Sequence, residues 1–484
     1  MLMKKKFNLR QIILIVFAFI TLRVLFEWVL LDYPTELITL HDYFIFYMEN
    51  LYYFIFVFLL VSFSISKIIK RDLIETMNYN IRIVPLIVLP PLIDSLLLGI
   101  TEGYFYATAK NFLYNFLTMS LLKGDASVGI TIEVVLIFLI VFAYVCYIRK
   151  SPLIALLAGY ITSLIIVIVS TPSFFFGAIA ISLPDDYFIS LYYIFPVLFF
   201  CIFLFYNYNK KKLKAVLSNM RLLKSSMFVL FALLGSIAAK KLGYNFDIYR
   251  TFLASMITFF GWQFSIVIND VHDIGIDIIS NKSRPLVKKI LTEKEYLFVG
   301  WAFAFFALSL AAILNIKIFI LTIIALFFGV VYSSPPLRLR NNLLGNLVMG
   351  ISLIITFMIG LLVADNSNLL INKINLIYFT LLFIFAAVVT LAKDIKDIKS
   401  DSKHGVKNIY TIFGRERGKK LITILLFLVM VTPLIYIRNN SILFISILSG
   451  LINCYWYYKK EDERIAYLIG ALLLIYVFFI LYSN

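Results

Sequence analysis

The chain has 484 residues, of which 62% are hydrophobic, 17% aromatic and 15% charged, with a mean hydropathy of +0.95. Soluble globular domains carry about 25% charged residues, so these values exclude an ordinary soluble domain and describe a polytopic membrane protein. The net charge of +17 does not point to nucleic acid, because the Lys and Arg residues fall in short loops between apolar runs, the pattern of cytoplasmic anchoring beside anionic lipid. Cys146, Cys201 and Cys454 all lie inside apolar runs and indicate neither a disulfide framework nor a cysteine metal site.

In chain order, Lys4, Lys5, Lys6 and Arg10 precede an apolar run from about Ile12 to Leu31. Its length, its internal Arg23 and Glu27 and the lack of a small-residue cleavage site predict a retained first span, not a signal peptide. Further spans are predicted near 43–66, 83–100, 127–147, 153–172 and 187–207. Lys67, Lys70, Arg71, Arg82, Arg149 and Lys150 mark one side of these six spans. Asp32, Glu36, Asp42, Glu102, Asp185 and Asp186 mark the other, which places the amino terminus inside. Arg23, Glu27 and Asp94 are ionisable groups within spans, a feature that also suits a transporter, although Arg23 and Glu27 at i, i+4 can neutralise one another. Residues 1–206 therefore read as a transmembrane module whose role and protein partner the sequence leaves open.

The basic stretch 207–224, with Lys210, Lys211, Lys212, Lys214, Arg221 and Lys224, is the clearest boundary and reads as a cytoplasmic linker. Residues 225–484 carry nine more predicted spans, near 225–242, 250–268, 293–314, 316–333, 343–364, 372–393, 418–437, 440–457 and 464–482. Starting inside, every strongly basic loop of this second half falls on the cytoplasmic face.

Two acidic triplets close apolar runs on that same face, because four spans separate them. Asp270, Asp273 and Asp277 sit at i, i+3 and i+7, so on a helix they share one side; Asp394, Asp397 and Asp401 repeat the spacing. Grouped carboxylates suit a hard divalent cation such as Mg2+, which takes one or two carboxylates and completes its shell with waters and substrate phosphates. Two such groups could clamp a diphosphate, with Lys282, Arg284, Arg338, Lys396 and Lys407 as nearby cations. Without a cation the crowded aspartates would repel one another, so a purely structural cluster would be costly. Transporter sites lie near the membrane midplane at broken helices, whereas these triplets close their spans at one face. A non-catalytic lipid-binding scaffold would have little need for both triplets. His272 and His404 read as packing and loop polarity.

On these residues the chain resembles the UbiA superfamily of intramembrane prenyltransferases. Asn269-Asp270-x2-Asp273-x3-Asp277 with Arg284-Pro285 is similar to the family's first aspartate motif, and Asp394-x2-Asp397-x3-Asp401 with His404-Gly405 and Lys407 to its second. Tyr332-Ser333-Ser334-Pro335-Pro336-Leu337-Arg338 and Gly345-Asn346 resemble the loop and helix between them. Ser400 and Asn408 depart from the common Gly and Thr, and no Pro stands near Arg221. The resemblance implies an all-α nine-helix bundle, preceded here by an extra module of about six transmembrane helices. It further implies Mg2+ held by the six aspartates, and a polyprenyl diphosphate contacted by Asn269, Arg284, Tyr332, Arg338, Lys396 and Lys407. The acceptor would be lipophilic, an aromatic quinone precursor or a glycerol-phosphate lipid such as geranylgeranylglyceryl phosphate. The spacing between Asp277 and Arg284 is most like that of archaeal digeranylgeranylglyceryl phosphate synthases.

Overall fold

The computed structural model describes residues 7–30, 39–98, 127–170, 183–364, 376–435 and 439–483. Their regular structure is entirely helical, and the chain divides into two compact units, Met1–Phe203 and Leu204–Asn484. Eleven of the described helices are long and apolar enough to cross a membrane, and a bent pair makes a twelfth, so the chain is a multi-pass membrane protein.

The first unit contains helices α1 (Leu9–Leu30), α2 (Leu40–Ile69), α3 (Leu73–Asn80), α4 (Leu89–Leu98), α5 (Val128–Arg149) and α6 (Pro152–Ser170). Helix α7 (Asp185–Ser218) begins in it and ends in the second unit. The third predicted span, 83–100, is the second arm of a bent pair, Leu73–Asn80 and Val84–Leu97 turned by 42°, whose first arm lies outside the predicted spans; Pro85 stands in the 3-10 turn that opens the second arm. The ionisable groups predicted inside the spans have packing partners. Arg23 Nε donates to Glu27 (2.8 Å) and its Nη1 to the Ile87 carbonyl (2.6 Å), while Glu133, a residue the sequence did not single out, lies 3.4 Å away. Asp94 accepts from Ser127 Oγ (2.5 Å) and from the Gly129 amide (2.6 Å), so it ties down the first turn of α5. Asp32, Glu36 and Glu102 lie outside the described residues.

The second unit holds, at the nine predicted positions, α8 (Leu222–Lys241), α9 (Ile248–His272), α11 (Glu293–Leu314), α12 (Ile316–Ser333), α13 (Leu344–Leu362), α14 (Leu376–Leu391), α17 (Arg415–Val431), α18 (Asn440–Lys460) and α19 (Glu463–Ser483). Short helices α10 (Ile274–Ser280), α15 (Ile398–Lys403) and α16 (Ile409–Phe413) lie between them. Side-chain caps set where the long helices start: Asp247 accepts from the Tyr249 and Arg250 amides, Thr292 and Glu295 form a capping box, and Asn315 caps α12. The basic stretch 207–224 is helical as far as Ser218, with a break at Asn209, and Ala215 and Val216 pack into a cluster with Val267, Leu286, Leu291 and Tyr296. Helices α8 and α13 meet backbone to backbone. A Cβ on Gly235 would collide with the Phe357 carbonyl and one on Gly360 with that of Ala232, and Ser236 Oγ donates across the seam to Gly360 O (2.9 Å). This packing leaves a cavity of about 290 Å³ inside the unit, apolar along Phe231, Ile257, Phe328 and Met349 and charged at one end.

Candidate active site

Each acidic triplet spans a helix break at its middle member. Helix α9 ends at His272, Asp273 takes φ −105° and ψ 12°, and α10 restarts at Ile274. In the second motif a 3-10 turn runs to Lys396, Asp397 takes φ −99° and ψ 5°, and α15 follows. Both aspartates lie in the bridge region, where many active-site residues sit. The three carboxylates of the first motif therefore do not share one helix side as the spacing predicts. Asp273 and Asp277 line the cavity, whereas Asp270 lies on the last turn of α9 and does not. The short helices after the breaks, α10 and α15, pack against each other, so the two motifs meet.

Arg340 joins them. Its guanidinium pairs with Asp273 and lies 3.7 Å from Asp401, and it lines the cavity. Arg338, the arginine expected to face the diphosphate, turns away. It donates to Asp273 (2.9 Å) and to the His272 carbonyl (3.0 Å) and does not line the cavity. Asp277 accepts from Asn281 (2.9 Å) and Asp401 from Asn408 (2.8 Å); Asn408 also caps α16, which gives the departure from Thr a clear use. Asn346 hydrogen-bonds Asp394, and Asp394 and Asp397 both line the cavity.

Among the other expected contacts, Asn269, Arg284, Tyr332 and Lys396 line the cavity and Lys407 does not. Lys407 is exposed, two residues beyond the left-handed Gly405. Lys396 is tied to Glu463 (2.6 Å) and Asp462 (3.5 Å), so its charge is already shared. Lys393, which opens the second motif but was assigned no role from the sequence, donates to the Tyr332 hydroxyl (2.8 Å) and lines the same wall. His272 is held by Ser334 at 2.6 Å, in keeping with a packing role. Arg340 and Lys393 were within reach of sequence reasoning, since each flanks a recognised motif. Asn219 and Tyr296, which hold Asp270, carried no such signal.

The acidic end suits a hard cation. Asp277 Oδ2 and Asp401 Oδ1 are buried and accept no hydrogen bond, with an arginine 3.9 Å and 3.7 Å away respectively. Burial pushes the Asp277 carboxyl above its ordinary range against the pull of Asn281 and Arg284, with Asp270 adding to the rise. Burial likewise raises Asp401 to about 6, with Arg340 opposing and the Asp397 and Asp394 charges adding. A cation beside them would favour the ionised forms. Among the described residues no three His, Cys, Asp or Glu side chains converge on one point.

Comparison with known proteins gives the same assignment as the motifs. The digeranylgeranylglyceryl phosphate synthase of Sulfurisphaera tokodaii is 30% identical over 188 residues, 38% of this chain and 65% of that one. The chloroplastic chlorophyll synthase of Arabidopsis thaliana is 27% identical over 167 residues, 31% of this chain and 41% of that one. The chain thus spans just under two thirds of the first relative and about two fifths of the second. A solved UbiA homolog from Archaeoglobus fulgidus bound to GPP and Mg2+ aligns with 56% of this chain and all of its own, at 22% identity and a TM-score of 0.44. Residues 228–482, more than half of the chain and both acidic motifs, match the model of the UbiA prenyltransferase family, and to that family the chain belongs.

Proposed function

We propose that the chain is an Mg2+-dependent intramembrane prenyltransferase that moves a polyprenyl group from its diphosphate to a lipophilic acceptor. The observation that carries this reading is the meeting of the two aspartate motifs at the charged end of one apolar cavity, bridged by Arg340. An isoprenoid tail partitions into the wall of Phe231, Ile257, Phe328 and Met349, and the diphosphate stays at the acidic and basic rim. Asp277, Asp394, Asp397 and Asp401 are the residues that would hold Mg2+, which when bound screens the negative charge of the leaving diphosphate. Arg284, Arg340 and Lys393 face the same space and add fixed positive charge there. The allylic C–O bond breaks with its electron pair on the diphosphate, and the acceptor's nucleophile bonds to the carbon and gives up its proton. Depth in an apolar cavity keeps water from competing.

The similarity to digeranylgeranylglyceryl phosphate synthases supports a glycerol-phosphate lipid as acceptor, and the charge of the rim suits its phosphate; an aromatic quinone precursor is the other acceptor class. The reading places the amino terminus and the rim on the cytoplasmic side, following the basic loops. Purified protein in lipid nanodiscs, given radiolabelled geranylgeranyl diphosphate, Mg2+ and geranylgeranylglyceryl phosphate or a hydroxybenzoate, should transfer label to one acceptor. Asp394→Asn and Asp401→Asn should each lower turnover at least about 100-fold. Unchanged turnover in both variants, or no diphosphate consumption by the unmodified protein with any acceptor, would overturn the proposal.

A further inference from the structure

Asp270 stands apart from the other five aspartates, all of which line the cavity. It is 1% exposed, and both of its oxygens are engaged. Asn219 Nδ2 (2.6 Å) and the Tyr296 hydroxyl (3.2 Å) donate to Oδ2, Arg221 pairs with Oδ1, and Arg284 Nε lies 3.9 Å from Oδ1. Asn219 is the hub of this knot. Its Nδ2 also donates to the Tyr296 oxygen (2.6 Å) and its Oδ1 accepts from Arg284 Nη1 (2.7 Å). Arg221 and Arg284 themselves reach the cavity wall, and the Nε–H of each is buried without a hydrogen bond. Asn219 and Arg221 both precede the family-matched residues 228–482.

A buried carboxylate with this set of donors has no oxygen turned toward the cavity in which a cation would sit, and it orients two guanidiniums whose planar forks suit phosphate oxygens. We propose that Asn219 and Asp270 are positioning residues that fix Arg221 and Arg284 at the cavity wall to receive the substrate diphosphate, and that Asp270 does not ligate the metal. The proposal rests on the prenyltransferase reading and assigns the first aspartate of the motif a different task from Asp277, Asp394, Asp397 and Asp401.

The test uses the full chain in nanodiscs, with Mn2+ counted by electron paramagnetic resonance in the presence of an unreactive thiolo analogue of geranylgeranyl diphosphate, alongside KM and kcat for the diphosphate. Asn219→Ala and Asp270→Asn should raise the diphosphate KM about tenfold or more, the effect of losing hydrogen bonds to a charged group, while Mn2+ per chain stays at the unmodified value under saturating analogue. Asp277→Asn should instead lower the Mn2+ count. Tyr296→Phe, which removes one donor and keeps the ring, gives a milder rise in KM of about threefold and serves if Asn219→Ala fails to fold. Loss of Mn2+ in Asp270→Asn to the level of Asp277→Asn overturns the proposal, as does an unaltered KM in both Asn219→Ala and Tyr296→Phe. An unmodified protein that neither binds the analogue nor turns over defeats the functional reading as well, whereas normal turnover with insensitive Asn219 and Tyr296 variants defeats this inference alone.

Discussion

Side chains that decide the chemistry of this cavity are separated from their sequence neighbours by very small differences in direction. Arg338 and Arg340 stand two apart in one loop, yet only Arg340 reaches both acidic motifs and lines the cavity. Arg338 takes a left-handed backbone at φ 35°, and its guanidinium binds behind Asp273. A resemblance between motifs identifies the loop but not which arginine it aims, because that depends on the backbone turn. Arg340→Gln should therefore lower kcat/KM for the diphosphate at least about 100-fold, the scale of removing a fixed charge from a low-dielectric site. Lys407 gives the opposite expectation. It is exposed, and its contact with the loop at Asn341 runs through its backbone amide (2.8 Å), so Lys407→Ala should leave kcat/KM within about threefold. Steady-state assays of the two variants side by side check both statements, and a larger loss in Lys407→Ala would restore the contact that the motif implied.

Helices were the most legible level of this chain. Apolar runs of 18 or more residues bounded by charged loops put a helix close to each of the nine predicted places in the second unit, because in lipid the backbone has few other options, and among the described residues six of these helices are long and apolar enough to cross a membrane. The breaks inside the acidic motifs were not legible. Spacing of i, i+3, i+7 fits one continuous helix, and neither motif has a proline to announce that Asp273 and Asp397 leave helical geometry. What the first break does is part Asp270, held away from the cavity by Asn219, Arg221 and Tyr296, from Asp273 and Asp277, which face it. Helix crossings were equally hidden, since Gly235 and Gly360 look like ordinary small residues until the two backbones touch. Gly360→Ala should force α8 and α13 apart and destabilise the unit by roughly 1–3 kcal/mol, the range for overpacking, read as a lower thermal midpoint in detergent. Gly261→Ala is the control: a Cβ there meets only a Leu326 methyl at 3.8 Å, so its midpoint should stay near that of the unmodified protein.

Across the whole molecule, the two compact units divide at Phe203 and Leu204, inside helix α7 and ahead of the basic stretch. Composition could show that the first six spans carry no acidic motif, but a continuous helix hides the point where packing changes partners. The end of α7 contributes Lys212, which pairs with Glu295 at 2.5 Å, as well as Ala215 and Val216 in the cluster with Val267 and Tyr296, and it leads into Asn219 and Arg221 at Asp270. Among the described residues, the contacts named above for the candidate site lie within residues 204–484. A chain begun at Leu204 should fold in nanodiscs and bind the unreactive diphosphate analogue within about threefold of the full chain. One begun at Leu222 loses Asn219 and Arg221 and leaves Asp270 with Tyr296 and the more distant Arg284. A buried charge stripped of partners costs about 3–5 kcal/mol, so this shorter chain should unfold at lower temperature and bind the analogue at least about tenfold more weakly. Equal binding by the two fragments would mean that the segment 204–221 is dispensable to the site. Loss of binding in both would mean that residues 1–203 supply something the second unit lacks, and that the first six spans take part in substrate handling.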